Sequence, residues 1–439
     1  MPEVRPFRAL RYESEIIADL AAVVSPPYDV ISPTAAVALL ARHPKNAVRL
    51  DLPVGEQGDG PDDRYRRAAR TFAAWRSDGT FHKDPRPSLY VYEQTYRLPG
   101  SPIERVQRGF FGRLRLEPFG PGSGVLPHER TMPAPREDRY KLLRATGVNT
   151  SPVVGLYADP AGQSGRILAE VARTTPIADV TDDEGVRHRM WALPAEGSEA
   201  SQVASLIAAA GAGPITLADG HHRYETALRY RDERRMSRSC EEDPAFDYIL
   251  MLFQEAASQL TVLPAHRVVG GLGEDGVAAL RRGLGDLFDE APVEDPAALI
   301  ADFGAGQPAR GGRGRFGLWT RAGGAILTAR RAAFEPLLPA GGEALRQLDV
   351  TLLQVVLERL AGIDQAALAA GRVAYTNSAD EAVGWVNGGA DGADVAFLLE
   401  PTPVASIVEV AREGDLMPSK STYFYPKPLT GLVLNPHEW

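Results

Sequence analysis

Pro214-Ile215-Thr216-Leu217-Ala218-Asp219-Gly220-His221-His222-Arg223-Tyr224-Glu225 is the stretch on which the reading of this chain turns. Its first five residues form a short apolar run after a proline, the pattern of a buried strand. Gly220 permits a tight turn, and the residues after it read as a helix to about Arg235. A helix that opens there aims its first N–H groups back at the turn, where free donors and the helix dipole hold phosphate. Arg223 adds a planar fork suited to phosphate oxygens. His221 and His222 can donate to the same anion or move protons. Asp219 can hold a magnesium ion or accept a proton from a hydroxyl. The same residues also fit a plain capped helix, with Asp219 as the N-cap and solvated histidines beside it.

Working outward, Pro127-His128-Glu129-Arg130-Thr131 follows a Gly/Pro loop and precedes a polar helix from about Arg136 to Thr146. His128 and Glu129 can act as a general base or as metal ligands, and an exposed charged loop is the competing reading. Ser25 to Val30 contains two prolines that fix an extended segment, so Tyr28 and Asp29, like Arg130, are candidate substrate contacts. Ser88 to Tyr96 and Val106 to Leu116 are strand-like, with Pro99-Gly100 between them, which predicts a β-hairpin. Helices are expected over Pro33 to Arg42 and Asp63 to Asp78, and a buried strand over Val153 to Tyr157.

Beyond the central stretch, Phe246 to Phe253 and Gln259 to Leu263 read as strands. The pair His266-Arg267 ends a strand, where it either lines the same cleft or sits in a surface loop. A helix-like stretch lies between about Gly270 and Gly312, with a Gly/Arg-rich surface loop from Gly304 to Gly314. Helix, strand, helix, strand and helix then alternate from Leu345 to Glu413, the order of an α/β unit. Lys420-Ser421-Thr422-Tyr423 and Lys427 can cradle phosphate, although the P-loop spacing is absent and a packing role competes. The organisation expected is α+β: an N-terminal segment 1–105, a core 106–245 with an insertion near 160–210, and a C-terminal α/β domain 246–439.

The chain has 439 residues, 44% hydrophobic and 24% charged, with a formal net charge of −9. An acidic surface disfavours nucleic acid as a partner. The single cysteine, Cys240, excludes an intrachain disulfide and a cysteine-rich zinc site. The amino-terminal residues lack the apolar run of a signal peptide, and no stretch approaches the roughly 18 apolar residues that span a bilayer. A cytoplasmic protein without membrane contact is expected, and a homodimer is left open.

In order, Phe7 to Leu10, Ser25 to Ile31, Tyr90 to Gln94, His128 to Thr131, His221 to Glu225 and Lys420 to Lys427 resemble a widespread prokaryotic family known as domain of unknown function 1015. More distantly, Asp219 to Arg223 after a strand is similar to the signature of free-serine kinases of the ParB/sulfiredoxin superfamily. The upstream His128-Glu129, the helix near Asp138 to Arg144, Gly147-Val148 and the strand Val153 to Leu156 look like that superfamily's order. The likeness implies a ParB/sulfiredoxin-like core binding ATP or ADP with Mg2+. It implies Glu129 as the base on a substrate hydroxyl, and Asp219 as its assistant or the magnesium position. Gly220, His221, His222 and Arg223 then hold phosphates, with Lys420 and Lys427 as further candidates. The lack of a cysteine at the turn, where His221 stands, speaks against sulfiredoxin chemistry.

The function expected is phosphoryl transfer from ATP or ADP to a small hydroxyl-containing metabolite. A nucleotide-binding regulator without turnover uses the same site. A metal-dependent hydrolase built on His128, Glu129, His221 and His222 is the third class.

Overall fold

The computed structural model describes residues 1–131, 133–237, 242–304, 313–389 and 392–437. Its backbone is a nine-stranded mixed sheet. From one edge the order is Val125–Leu126, Ile215–Asp219, Val153–Tyr157, Tyr248–Glu255, Glu104–Arg115, Ser88–Arg97, Arg187–Pro194 and Ala178–Thr181, with Val4–Arg5 pairing at Glu104–Arg115. The expected hairpin is present as Ser88–Arg97 against Glu104–Arg115, antiparallel, with Val91 opposite Phe110. Parallel pairing occurs where Val153–Tyr157 meets Tyr248–Glu255 and where Val125–Leu126 meets Ile215–Asp219.

Both faces of this sheet are covered, which explains why its central strands are apolar almost without alternation. On one face Leu89, Val91, Phe110, Phe253 and Leu217 pack under the helices Gln163–Val171, Ala200–Gly211 and His221–Ser237. On the other, Tyr90, Tyr92, Phe111, Leu250 and Leu252 share a core with Phe424, Leu429, Leu432 and Val433 from the far end of the chain. The last segment therefore returns across the sheet. Tyr423–Tyr425 pairs with Thr261–Leu263, Thr430 bridges Ser25, Leu434 bridges Leu10, and Asn435–Pro436 pairs with Val148–Asn149.

A second, six-stranded sheet is built by His266–Gly270, Phe288–Val293, Arg315–Thr320, Gly323–Ala329, Val373–Thr376 and Ala393–Leu398. All its pairings are antiparallel, so the expected α/β unit is corrected to α+β: its helices alternate with strands in sequence without creating parallel neighbours. The single helix read from Leu345 to Leu360 is two, Glu343–Arg346 and Asp349–Arg359, with Asp349 turned to accept the Gly314 N–H at 2.6 Å. Most of the expected Gly304 to Gly314 loop lies outside the described residues, as does Cys240.

Residues 246–439 contribute to both bodies rather than one, because Tyr248–Glu255 is a central strand of the first sheet and 417–437 wraps it. Position 105 falls within the strand Glu104–Arg115 of the hairpin. The stretch expected as an insertion near 160–210 is integral too: Arg187–Pro194 and Ala178–Thr181 form the edge opposite Val125–Leu126. Among the described residues no helix is long and apolar enough to cross a membrane.

Candidate functional site

The strand Ile215–Asp219 ends at Gly220, whose φ of +87° is the left-handed turn that glycine allows without strain. The helix His221–Ser237 starts directly after it. Its first turn is anchored by Tyr224, fully buried, whose hydroxyl donates to the Glu117 carbonyl at 3.0 Å and whose ring stacks on Phe119. Arg223 folds back beneath the glycine: a Cβ at position 220 would lie 3.0 Å from Arg223 Nε. The guanidinium is 9% exposed and donates through Nη1 to the Pro152 carbonyl at 2.5 Å. Its Nε and Nη2 are buried with no hydrogen-bond partner among the described residues. Asp219 Oδ1 stands 3.6 Å from Nη2, an electrostatic contact beyond hydrogen-bond length.

Asp219 receives its close hydrogen bond from Lys427 Nζ, at 3.1 Å. Burial works to raise the Asp219 carboxyl, but Lys427 and Arg223 outweigh it and hold the group well below the usual carboxylate range. Asp29 is its counterpart. This residue is exposed, and partial desolvation followed by the Asp219 charge raises its carboxyl despite Arg223 and Lys427. Tyr28 lies alongside, with the Arg139 guanidinium 3.8 Å over its ring. Gly220, Arg223, Asp219, Lys427, Tyr28 and Asp29 thus share one electrostatic centre.

The upstream motif lies on the other side of the turn. His128 is fully buried, and its Nδ1 donates to the Leu217 carbonyl at 2.5 Å, which leaves Nε2 to accept from the Thr422 hydroxyl at 3.0 Å. Burial pushes this imidazole down to about 4, so it is neutral near pH 7. His221 accepts the His128 main-chain N–H through Nε2 at 3.4 Å, and burial with the neighbouring His128 lowers it well below the ordinary value. His222 is half-buried, with burial lowering it and Glu225 opposing. Glu129 accepts from two successive main-chain donors, Lys420 N at 2.7 Å and Ser421 N at 3.1 Å. Burial nevertheless pushes its carboxyl up to about 7, against those N–H groups and Arg267, with Asp219 adding to the rise.

The C-terminal candidates do reach the site, by different means. Lys427 brings its ammonium. Lys420 is exposed, with Nζ 5.1 Å over the Tyr375 ring, and serves Glu129 through its main chain instead. Arg130 is also exposed, while its main chain pairs with Met417 and accepts from Ser419 Oγ at 3.0 Å. His266 and Arg267 are buried in a strand, so the surface-loop alternative for them is corrected. The expected metal site on His128, Glu129, His221 and His222 does not assemble: both His128 nitrogens are taken, and no metal-holding group of three such side chains occurs among the described residues.

Asp51 was not visible in the sequence. It is buried and takes the Thr150 hydroxyl at 2.6 Å and the Tyr28 main-chain N–H at 3.2 Å. With Arg139 and Arg223, and with the apolar Leu142, Val148 and Ile249, it lines a cavity of mixed character behind the turn. Its neighbours Val48, Arg49 and Leu50 carry no local signal, and its partner lies 99 residues away.

A family model described as protein of unknown function (DUF1015) matches residues 4–351. No curated protein matches. Among solved structures, a free serine kinase in complex with AMP is 14% identical, covering 69% of this chain and 83% of that chain at a TM-score of 0.34. A conserved hypothetical protein from Pyrococcus furiosus is 13% identical, covering 70% and 88%, at 0.34. SbnI with a C-terminal truncation, from Staphylococcus aureus, is 12% identical, covering 71% and 83%, at 0.36.

Proposed function

The chain belongs to the DUF1015 family of proteins of unknown function, and for it we propose phosphoryl transfer from ATP or ADP to the hydroxyl of a small molecule, at the turn Asp219 to Arg223. The observation that carries this reading is Arg223. A guanidinium 9% exposed, with two buried donors unsatisfied, costs stability unless an anion completes it. It lies at a helix N-terminus beside a glycine turn, where a phosphate finds main-chain donors as well. The core that presents this turn is read as ParB/sulfiredoxin-like.

In this reading Gly220, His221, His222 and Arg223 hold nucleotide phosphates. Neutral His221 and His222 act as hydrogen-bonding groups. Lys427 adds positive charge from the returning segment. Asp219, held ionised, is a fitting position for Mg2+, which binds through one or two carboxylates plus substrate phosphates. When bound, that ion supplies charge neutralisation between phosphates. Tyr28, Asp29 and Arg130 line the acceptor side.

Glu129 takes the proton from the acceptor hydroxyl as its oxygen bonds to phosphorus and the bond to the departing nucleotide breaks. A carboxyl near 7 suits a base at neutral pH. The two main-chain donors leave each carboxylate oxygen a free lone pair. His128, with both nitrogens engaged, is a positioning residue that joins the strand at Leu217 to Thr422.

Thermal-shift titration with ATP, ADP, CTP and GTP, with and without Mg2+, tests the site. A nucleotide at 100 times its Kd stabilises the fold by about 2.7 kcal/mol. Stabilisation by ATP or ADP, lost in Arg223→Ala, is the expected result. No response to any nucleotide overturns the reading, and binding without transfer to any hydroxyl acceptor converts the enzyme into a regulator.

A further inference from the structure

The His266-Arg267 pair has no part in the reaction as proposed, yet Arg267 is among the most deeply buried cations of the molecule, 3% exposed. It sits on the first strand of the second sheet, His266–Gly270. Nη1 donates to the Ala265 carbonyl at 2.5 Å, and Nη2 donates to the Lys420 carbonyl at 3.3 Å. Its guanidinium carbon lies 5.4 Å over the Tyr375 ring. A guanidinium at this depth ordinarily rests on a carboxylate. The carboxylate in its electrostatic surroundings is Glu129, on the far side of one peptide unit.

That peptide unit is the key to the arrangement. The Lys420 carbonyl and the Ser421 N–H belong to the same planar group, and in a trans peptide they point in opposite directions. The carbonyl end meets Arg267, while the N–H end donates to Glu129 Oε2 at 3.1 Å. Lys420 itself has a φ of +57°, and its own N–H donates to Oε1 at 2.7 Å. Successive main-chain N–H groups turned in this way form an anion cradle. Here the cradle comes from the returning segment, its grip from the second sheet, and the anion from the central body.

We propose that Arg267 is a positioning residue for Glu129: it fixes the Lys420–Ser421 peptide whose opposite end holds the carboxylate, and so ties the base to the second sheet. The proposal rests on the reading of Glu129 as the base. The charged and titratable groups around Glu129 are Arg267 and Tyr375 from the second sheet and Asp219 from the turn, with the Lys420 and Ser421 N–H groups from the returning segment. Arg267 favours the ionised carboxylate, so its loss makes Glu129 harder to ionise.

The test is a pH titration of the full-length protein carrying carboxyl-13C glutamate, with Glu129→Gln to assign the signal. In Arg267→Gln the Glu129 midpoint is expected to rise by about one unit, with Arg267→Lys recovering much of it. An unmoved midpoint in a folded Arg267→Gln protein overturns the proposal. Should that variant not fold, Arg267→Lys decides: it keeps the charge but lacks the rigid fork whose two nitrogens reach the Ala265 and Lys420 carbonyls separately. The Ser421 amide is then expected to exchange faster, and unchanged exchange overturns the proposal. A wild-type midpoint in the ordinary carboxylate range sinks the base assignment instead, and the amide exchange then judges the grip by itself.

Discussion

Lys427 and Asp219, 208 positions apart in the chain, meet at 3.1 Å with each side chain 13% exposed. The contact pins the returning segment to the turn that opens the helix His221–Ser237, so the phosphate-binding candidate and its C-terminal cation form one unit. The Gln94 amide donates to the Lys427 carbonyl at 3.0 Å and fixes that segment from the sheet side.

Breaking the pair from one side strands a buried carboxylate. Lys427→Met is expected to destabilise the fold by about 3 kcal/mol, because the Asp219 charge keeps its desolvation cost and loses its closest partner. Asp219→Asn added to Lys427→Met should recover part of that loss, a coupling above about 1 kcal/mol. Urea unfolding of the two single variants and the double variant measures it. Strictly additive single effects would show that the two residues do not stabilise one another.

Gly220 offers a sharper test of the turn. Its φ of +87° suits glycine, and a Cβ there would meet Arg223 Nε at 3.0 Å and Nη2 at 3.1 Å. Gly220→Ala is therefore expected to cost about 1–2 kcal/mol in backbone strain and to displace the guanidinium as well. Nucleotide affinity should fall together with Tm. A variant that loses Tm but binds nucleotide as before would detach the turn from the site.

What could be read from the sequence was what is local. The strand and helix around Gly220, the hairpin about Pro99-Gly100 and the buried run Val153 to Tyr157 each declare themselves within a dozen residues, and all are present. Arg187–Pro194 was hidden because charged Arg187 and Arg189 and the buried His188 mask its alternation. His188 is satisfied by the Tyr92 hydroxyl at 2.6 Å on one ring nitrogen and by the Asp182 carboxylate at 3.0 Å on the other. The pair Arg315–Thr320 and Gly323–Ala329 was hidden by its glycines, although Gly324 is required where a Cβ would strike Trp319. The same divide runs through the site. The turn was legible, but the hold of Lys420 and Ser421 on Glu129, the Lys427 pair and the Asp51 cluster depend on contacts that no local pattern encodes.

Buried neutral histidines give the protein an acid-side weakness with a calculable sign. His128 has a folded-state pKa near 4 against an ordinary value of 6.5. Its stabilising share is complete above pH 6.5 and is lost as pH falls toward 4, because the unfolded chain takes up the proton first. A shift of that size corresponds to about 3 kcal/mol. His221, His266 and His437 are lowered in the same direction and share the slope. His128→Asn keeps a donor toward the Leu217 carbonyl without a titrating ring. Its unfolding free energy should decline less between pH 7 and pH 4.5 than that of the wild type, and an equal decline would remove His128 from the account.

Glu129 and Arg223 are assigned different work, and paired variants separate the two. Arg223→Ala removes charge-assisted donors from a bound phosphate, so nucleotide affinity is expected to fall by about 1.5–3 kcal/mol, or roughly 10- to 100-fold. Glu129→Gln preserves shape and one of the two main-chain contacts, since its amide oxygen accepts from Lys420 or Ser421 while its NH2 cannot. The phosphate-holding groups are untouched, so affinity should stay within a few fold. The transfer rate should drop by about 100- to 10,000-fold, the usual scale for a lost general base. Because burial pushes Glu129 up to about 7, the wild-type rate should climb through neutrality as the carboxyl deprotonates, and that acidic limb should vanish in Glu129→Gln. Calorimetric titration with nucleotide and a rate–pH profile for transfer supply both readings. Persistence of the acidic limb in Glu129→Gln would assign the proton transfer to another group, with Asp29, the other raised carboxyl of the site, the first to examine.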